Sequence, residues 1–190
     1  MLTKTKNFNA IYNDMLKQFP KEELKQREHF LELFNNNYVL YEYSEEKNAD
    51  TKGYCIVFEG EEYILTDYLA IFKKFHSKGY GAKIIEELKH FYPEKLGCFF
   101  EVEPIETNNI QTQRRAKFYQ KQNANKLNFN YLYPNQNGYM PLDLYYLPYS
   151  KNTPAKKQIT NFIKEFFFCV HKDIEHIEQV YKKILEINQI

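Results

Sequence analysis

The sequence predicts one mixed α/β (α+β) domain with an additional C-terminal helix. Three observations lead there. Apolar residues recur at three- and four-residue steps in several segments, the signature of amphipathic helices. Between them lie short runs rich in Tyr, Phe, Ile and Val, bounded by Gly, Pro and Asn, which read as strands. The chain has 190 residues, 43% hydrophobic and 17% aromatic, enough for one compact core or a domain with an appendage.

Each element follows from the local pattern. Phe8, Ile11, Tyr12, Met15, Leu16 and Phe19 lie at helical spacing and Pro20 stops them. A second helix is expected over Lys21 to Phe34, ending in Asn35-Asn36-Asn37. Tyr38 to Tyr43 is strand-like, Ser44 to Asp50 a polar turn, and Gly53 to Phe58 a second strand. Gly60-Glu61 signals a hairpin and Glu62 to Phe72 a long third strand. Ile84, Ile85, Leu88 and Phe91 form a helical stripe ended by Pro93; Gly97 to Pro104 is a strand halted by proline. A polar helix is expected over Asn109 to Gln122, then two strands, in NFNYLY and YMPLDLYYL, around a turn at Pro134 to Gly138. From Ala155 to Ile187 the helical spacing returns without interruption. Residues 1–150 therefore read as the domain and 151–190 as a helical extension packing on it or on a partner subunit, with a homodimer the second option because the steps approach a heptad.

Composition narrows the function. With 26 basic and 25 acidic residues the net charge is +1, which gives no long-range pull toward nucleic acid or anionic membrane, so neither is expected as a partner. Cys55, Cys98 and Cys169 are scattered without metal-like spacing, which fits a reducing compartment. Polar residues interrupt every apolar pair at the N-terminus, unlike a signal peptide, so a cytoplasmic protein is expected. His29, His76, His90, His171 and His176 show no paired ligand spacing, and no metal is assigned.

One stretch points to a ligand: FHSKGYGAKIIEEL, Phe75 to Leu88, places Gly79 and Gly81 at the mouth of a helix straight after a strand. A helix N-terminus offers unpaired N–H groups and a favourable dipole to a phosphate, and glycine lets backbone approach closely. Lys78 adds positive charge and His76 a donor. The pattern is neither GxxxxGK[ST] nor GxGxxG, because residue 84 is Ile84.

In this context the region resembles the GNAT N-acetyltransferase superfamily, whose cofactor motif (Gln or Arg, two residues, Gly, one residue, Gly or Ala) follows a strand ending like Leu-Ala-Val. Here Leu69-Ala70-Ile71 is followed by FKKF and His76-Ser77-Lys78-Gly79-Tyr80-Gly81, with His76 at the opening position. Phe118-Tyr119 and Asn123-Ala124 are similar to the family's Phe/Leu-Tyr-x-x-x-Gly-Phe, with Asn123 in place of glycine; Asn is the next-best residue in a left-handed C-cap. Thr112 stands where the family often has Asn. The resemblance covers roughly residues 38–147 and implies a mostly antiparallel central sheet flanked by helices. It also implies acetyl-CoA as co-substrate. The pyrophosphate would lie on amides from Ser77 to Ala82, and the pantetheine arm along Leu69, Ala70 and Ile71.

By the same resemblance the reaction is direct acetyl transfer to a primary amine, on a small molecule or a protein, and Tyr119 would protonate the leaving thiolate. Glu101 and Glu103 alternate onto one strand face, so either could take the acceptor's proton, Glu103 first because it sits at the strand's end. Asp67 is a candidate for holding a cationic acceptor. Arg115, one helical turn from Tyr119, reads as a cofactor phosphate ligand or, more simply, a solvated helix face. The alternative to an enzyme is a catalytically inactive GNAT-like module that binds CoA or a protein partner.

Overall fold

The computed structural model describes residues 1–47 and 49–190, so the turn expected over Ser44 to Asp50 lies partly outside the described residues. The chain divides into two compact units, Met1–Glu59 with Thr66–Glu94, and Gly60–Leu65 with Lys95–Ile190.

The first unit holds β1 (Leu2–Lys4), α1 (Phe8–Gln18), α2 (Arg27–Leu33), β2 (Tyr38–Tyr43), β3 (Gly53–Glu59), most of β4 (Ile64–Ile71) and α3 (Tyr80–Phe91). Its strands run in the order β1-β2-β3-β4. β1 pairs antiparallel with β2 from Leu2 opposite Tyr43, and β2 pairs antiparallel with β3 from Tyr38 opposite Phe58. β1, only three residues long, has no pattern from which sequence reasoning could find it. β3 is buried along six of its seven residues, which is why it reads as a continuous apolar run rather than an alternation. On α1 the spacing delivers Phe8, Ile11 and Met15 to the core, each worth about 1.5–3 kcal/mol of burial. Phe8 packs against Phe30 and Phe34 with ring centroids 5.2 and 5.0 Å apart.

The second helix is shorter than expected. Residues 21–26 are not helical; Gln26 is extended and caps α2. The reason is tertiary: Lys25 is buried, its ammonium 2.9 Å from Asp67, a contact that outweighs the helix propensity of KEELKQ.

The second unit contains β5 (Gly97–Val102), α4 (Ile110–Lys121), β6 (Asn125–Lys126), β7 (Tyr131–Asn135), β8 (Gly138–Pro148), α5 (Lys156–Val170) and α6 (Ile177–Asn188). The eleven-residue β8 is its hub, antiparallel to β5, β6 and β7. Gly97 opens β5 because a Cβ there would lie 2.4 Å from the Tyr146 hydroxyl oxygen. The strand ends at Val102, so Glu103 lies just past it.

The expected continuous tail helix is two helices, broken over residues 171–176. The ladder is replaced there by tight turns, with Ile174 N donating to His171 O and Ile177 N to Ile174 O. His171 is buried edge-on to Tyr133 and Phe166, and the His176 ring lies 2.9 Å from Gly138 O. Apolar periodicity survives the break, so the sequence alone did not reveal it. The tail stripe, including Ile159, Ile163, Phe166, Val170 and Ile184, is buried within this chain, and α5 and α6 pack against each other.

Candidate functional site

In the first unit the relevant feature is the passage from β4 to α3. A single 3-10 turn, Lys73–Phe75, follows the strand. The His76 imidazole lies 2.7 Å from Ile71 O, which also accepts from Gln18 Nε2 at 3.2 Å, so His76 ties the turn back to the strand end. Ser77 and Gly79 both have positive φ, 61° and 80°, and Gly79 caps α3. No atom lies within 4 Å of a Cβ built at Gly79, so glycine is there for its left-handed backbone and not for lack of room. The helix ladder opens with Lys83 N donating to Gly79 O at 3.2 Å, which leaves the amides of Tyr80, Gly81 and Ala82 outside it. Gly81 is buried in the first turn and Ala82 half-buried, while Ser77 and Lys78 are exposed. Leu69 and Ile71 are half-buried at the end of β4, with Ala70 buried between them. The Tyr80 phenol bonds to Glu45, which lowers that carboxyl's pKa and raises the phenol's. Such an array suits a phosphate-bearing ligand: amides outside the helix ladder, a helix dipole and an exposed lysine.

Sequence reasoning missed what surrounds Phe75. Lys52, Lys74 and Lys78 carry their ammonium groups 4.2, 4.7 and 5.6 Å from its ring centroid, and the ring lies edge-on to Tyr80. Of these three lysines the sequence pointed only to Lys78; nothing in the spacing signalled Lys52 or Lys74.

Asp67 is no open acceptor site. Its side chain is 3% exposed, paired with Lys25, and accepts a hydrogen bond from the Tyr38 hydroxyl. The charge expected to hold an acceptor is already balanced inside the protein.

In the second unit Tyr119 projects from α4 into an aromatic setting, 4.8 Å from Phe100 and 6.0 Å from Tyr145. It is 8% exposed. Burial pushes its pKa well above the ordinary phenol value, with Cys98 adding to the rise and Arg115 partly offsetting it, so the phenol is protonated at neutral pH. Its hydroxyl has no hydrogen-bond partner among the described residues. α4 closes in a Schellman motif: Asn123 has φ 63°, its N–H reaches Gln120 O, and Ala124 N reaches Tyr119 O.

The two glutamates both have partners. Glu103 forms an ion pair with Arg115, and Glu101 accepts from the Tyr131 hydroxyl. Glu103 remains 29% exposed, and it stands just beyond the strand. Thr112 is buried and locally engaged, accepting from Glu106 N at 3.0 Å and donating to Asn109 O at 2.9 Å. Its hydroxyl is thus part of the helix start, beside the Asn109 side-chain cap on Gln111 N.

Comparison with known proteins agrees with this picture. No family model matches the chain. YjbC of Bacillus subtilis (strain 168), described as a "putative acetyltransferase", is 25% identical over 185 residues, covering 94% of this chain and 91% of its own. A solved structure from Bacteroides thetaiotaomicron, described in the same words and assigned to the GNAT family, aligns with a TM-score of 0.74 at 18% identity over 88% of this chain and 96% of its own. Spermidine N-acetyltransferase from Vibrio cholerae, solved with CoA and spermine, aligns with a TM-score of 0.58 at 12% identity, covering 80% of this chain and 96% of that one. The fold is that of the GNAT acetyltransferases, as the order of motifs in the sequence suggested. Among the described residues no helix is long and apolar enough to cross a membrane.

Proposed function

We propose that the protein is an acetyl-CoA-dependent N-acetyltransferase that transfers the acetyl group directly to a primary amine. The observation carrying this reading is the left-handed Ser77 and Gly79 turn opening into α3, which supports a phosphate cradle at the position the family's motif implies. On this reading the amides of residues 77–82 take the pyrophosphate, with Lys78 nearby. Leu69, Ala70 and Ile71 offer strand backbone to the pantetheine arm. His76 contributes by fixing the turn on Ile71 O.

The second unit carries the proposed proton chemistry. Transfer breaks the thioester C–S bond, forms the amide C–N bond, and leaves a thiolate that needs a proton. Tyr119, neutral and with no hydrogen-bond partner for its hydroxyl among the described residues, supplies it and regains a proton from the acceptor nitrogen, which sheds its second proton as the amide forms. Glu103, still partly exposed, is the better candidate to take the ammonium's proton; Glu101 sits under the Tyr131 hydroxyl and is a positioning group. The Vibrio neighbour is a spermidine N-acetyltransferase solved with spermine, which makes a cationic amine the first class to test. The acceptor's charge would not be met by Asp67, which is spent on Lys25.

The test is calorimetric titration with acetyl-CoA on the parent and on Gly81→Glu, followed by an acceptor screen on the parent and Tyr119→Phe. Micromolar binding lost in Gly81→Glu supports the cradle. Slowed turnover at unchanged CoA affinity in Tyr119→Phe supports the acid. A parent that binds no acetyl-CoA refutes the reading.

A further inference from the structure

We propose that Lys52, Lys74 and Lys78, gathered around the Phe75 ring, form a second anion site that takes the ribose 3′-phosphate of coenzyme A, so that the protein prefers CoA over 3′-dephospho-CoA. This rests on the coenzyme reading above and adds a recognition element to it.

Three ammonium groups from two stretches of chain, Lys52 from one and Lys74 and Lys78 from the other, lie within 5.6 Å of one ring centroid. Lys52 is held by its backbone, its N–H on Tyr43 O at 2.7 Å and its carbonyl accepting from Phe72 N at 3.0 Å. Lys74 stands on the 3-10 turn, and Lys78 lies between the two left-handed residues of the glycine turn. Attraction to the ring face draws each cation in, while the cations repel one another. The compensation within reach is small. Asp50 pairs with Lys74 at 3.2 Å, and Glu45 feels Lys52 and Lys83 but is engaged with Tyr80. Among the described residues neither Lys52 nor Lys78 has a carboxylate at ion-pair distance. Lys73 adds a further exposed cation on the same turn.

The patch therefore carries unspent positive charge next to the amides proposed for the pyrophosphate. Those amides suit a diester pyrophosphate, which they can cradle by backbone alone. A phosphate monoester is different: it carries about −1.5 to −2 charge at neutral pH and three acceptor oxygens, and rewards several mobile ammoniums. Coenzyme A carries one such group, on the ribose next to its pyrophosphate. The Phe75 ring edge-on to Tyr80, the first residue of α3, joins the patch to the helix start.

The experiment compares CoA with 3′-dephospho-CoA by calorimetry, on the parent and on a Lys52→Gln/Lys74→Gln variant, with circular dichroism confirming that the variant folds. The parent is expected to bind CoA about tenfold more tightly than dephospho-CoA at low salt, with the advantage shrinking as salt rises. The variant should lose most of that ratio. Equal binding of the two ligands by the parent overturns the proposal, as does a ratio that survives in a folded variant. A parent that binds dephospho-CoA yet gains nothing from the 3′-phosphate removes only the second site, whereas binding of neither ligand removes the coenzyme reading and this inference with it.

Discussion

Replacing Lys25 with methionine should expose how the first unit is held together. Methionine keeps a long unbranched stem but removes the charge. In the native protein Lys25 Nζ lies 2.9 Å from Asp67 Oδ2 and 3.4 Å from the Tyr68 hydroxyl, with side chains 5% exposed at Lys25 and 3% at Asp67. Removing one partner of a buried ion pair strands the other charge, at about 3–5 kcal/mol. Asp67 keeps the Tyr38 hydroxyl as a donor, which places the expected loss toward the lower end, about 3 kcal/mol. For a chain of this length that is a fall of roughly 6–12 °C in Tm. Thermal and urea unfolding would measure it, with the Lys25→Met/Asp67→Asn double variant closing a cycle. Neutralising both partners removes the stranded charge, so the double variant should recover a good part of the loss. A Lys25→Met loss below about 1 kcal/mol, or a strictly additive double variant, would refute the argument that this pair is what keeps residues 21–26 out of the helix. Asp67→Asn also bears on acceptor binding. If the carboxylate is spent on Lys25, a folded Asp67→Asn protein keeps its acceptor KM, and a clear rise in KM would return Asp67 to the binding site.

Other perturbations test local geometry and titration. Asn123→Gly should leave stability unchanged or slightly improved, while Asn123→Val should lose about 1–2 kcal/mol in urea unfolding, because only the latter puts a branched side chain at φ 63°. Thr112→Val removes two hydrogen bonds at the start of α4 and should cost about 1–3 kcal/mol, with equal stability of the two proteins counting against the capping role. Burial raises the phenol of Tyr41 to about 12 and those of Tyr54, Tyr92, Tyr119 and Tyr146 above the ordinary value as well. A folded-state pKa above the unfolded one means that the folded state holds its proton longer. These groups therefore stabilise fully below about pH 10 and lose that contribution as pH rises through 10 toward the folded values. Urea midpoints should be flat from pH 8 to 9.5 and fall steeply by pH 11; a flat profile throughout would refute the assignment.

The parts of the fold legible in the sequence are those written in short-range spacing. Helical steps located α1 and α3, and the expected strands at Tyr38, Gly53 and Gly97 start where β2, β3 and β5 do. The substitution of Asn for Gly at position 123 was read correctly as a left-handed cap, since a helix end exposes the same orphan carbonyls wherever it occurs. Gly79 was expected at the helix mouth for the close approach of backbone to a ligand; the structure adds its left-handed conformation, φ 80°, which the spacing did not signal. Boundaries failed where a distant group intervened. Lys25 gave up its helical turn to reach Asp67, forty-two residues on, and the tail helix broke where His171 and His176 found partners across the second unit.

Among the candidate site residues the same division holds. Strand alternation suggested one face for Glu101 and Glu103, but β5 ends between them at Val102, and only the fold brings Tyr131 to the first and Arg115 to the second. Sequence names Lys78 as a neighbour of the phosphate turn; only the fold, with Lys52 bonded through its backbone to Tyr43 and Phe72, brings Lys52 and Lys74 to Phe75 as well. What the sequence by itself determined is where most helices and strands begin and that Asn123 closes α4 in a left-handed cap, because backbone sterics and periodic burial act over a few residues. Which charges remain available for a ligand was decided only by the tertiary structure, because ion pairing acts between side chains that chain distance does not relate.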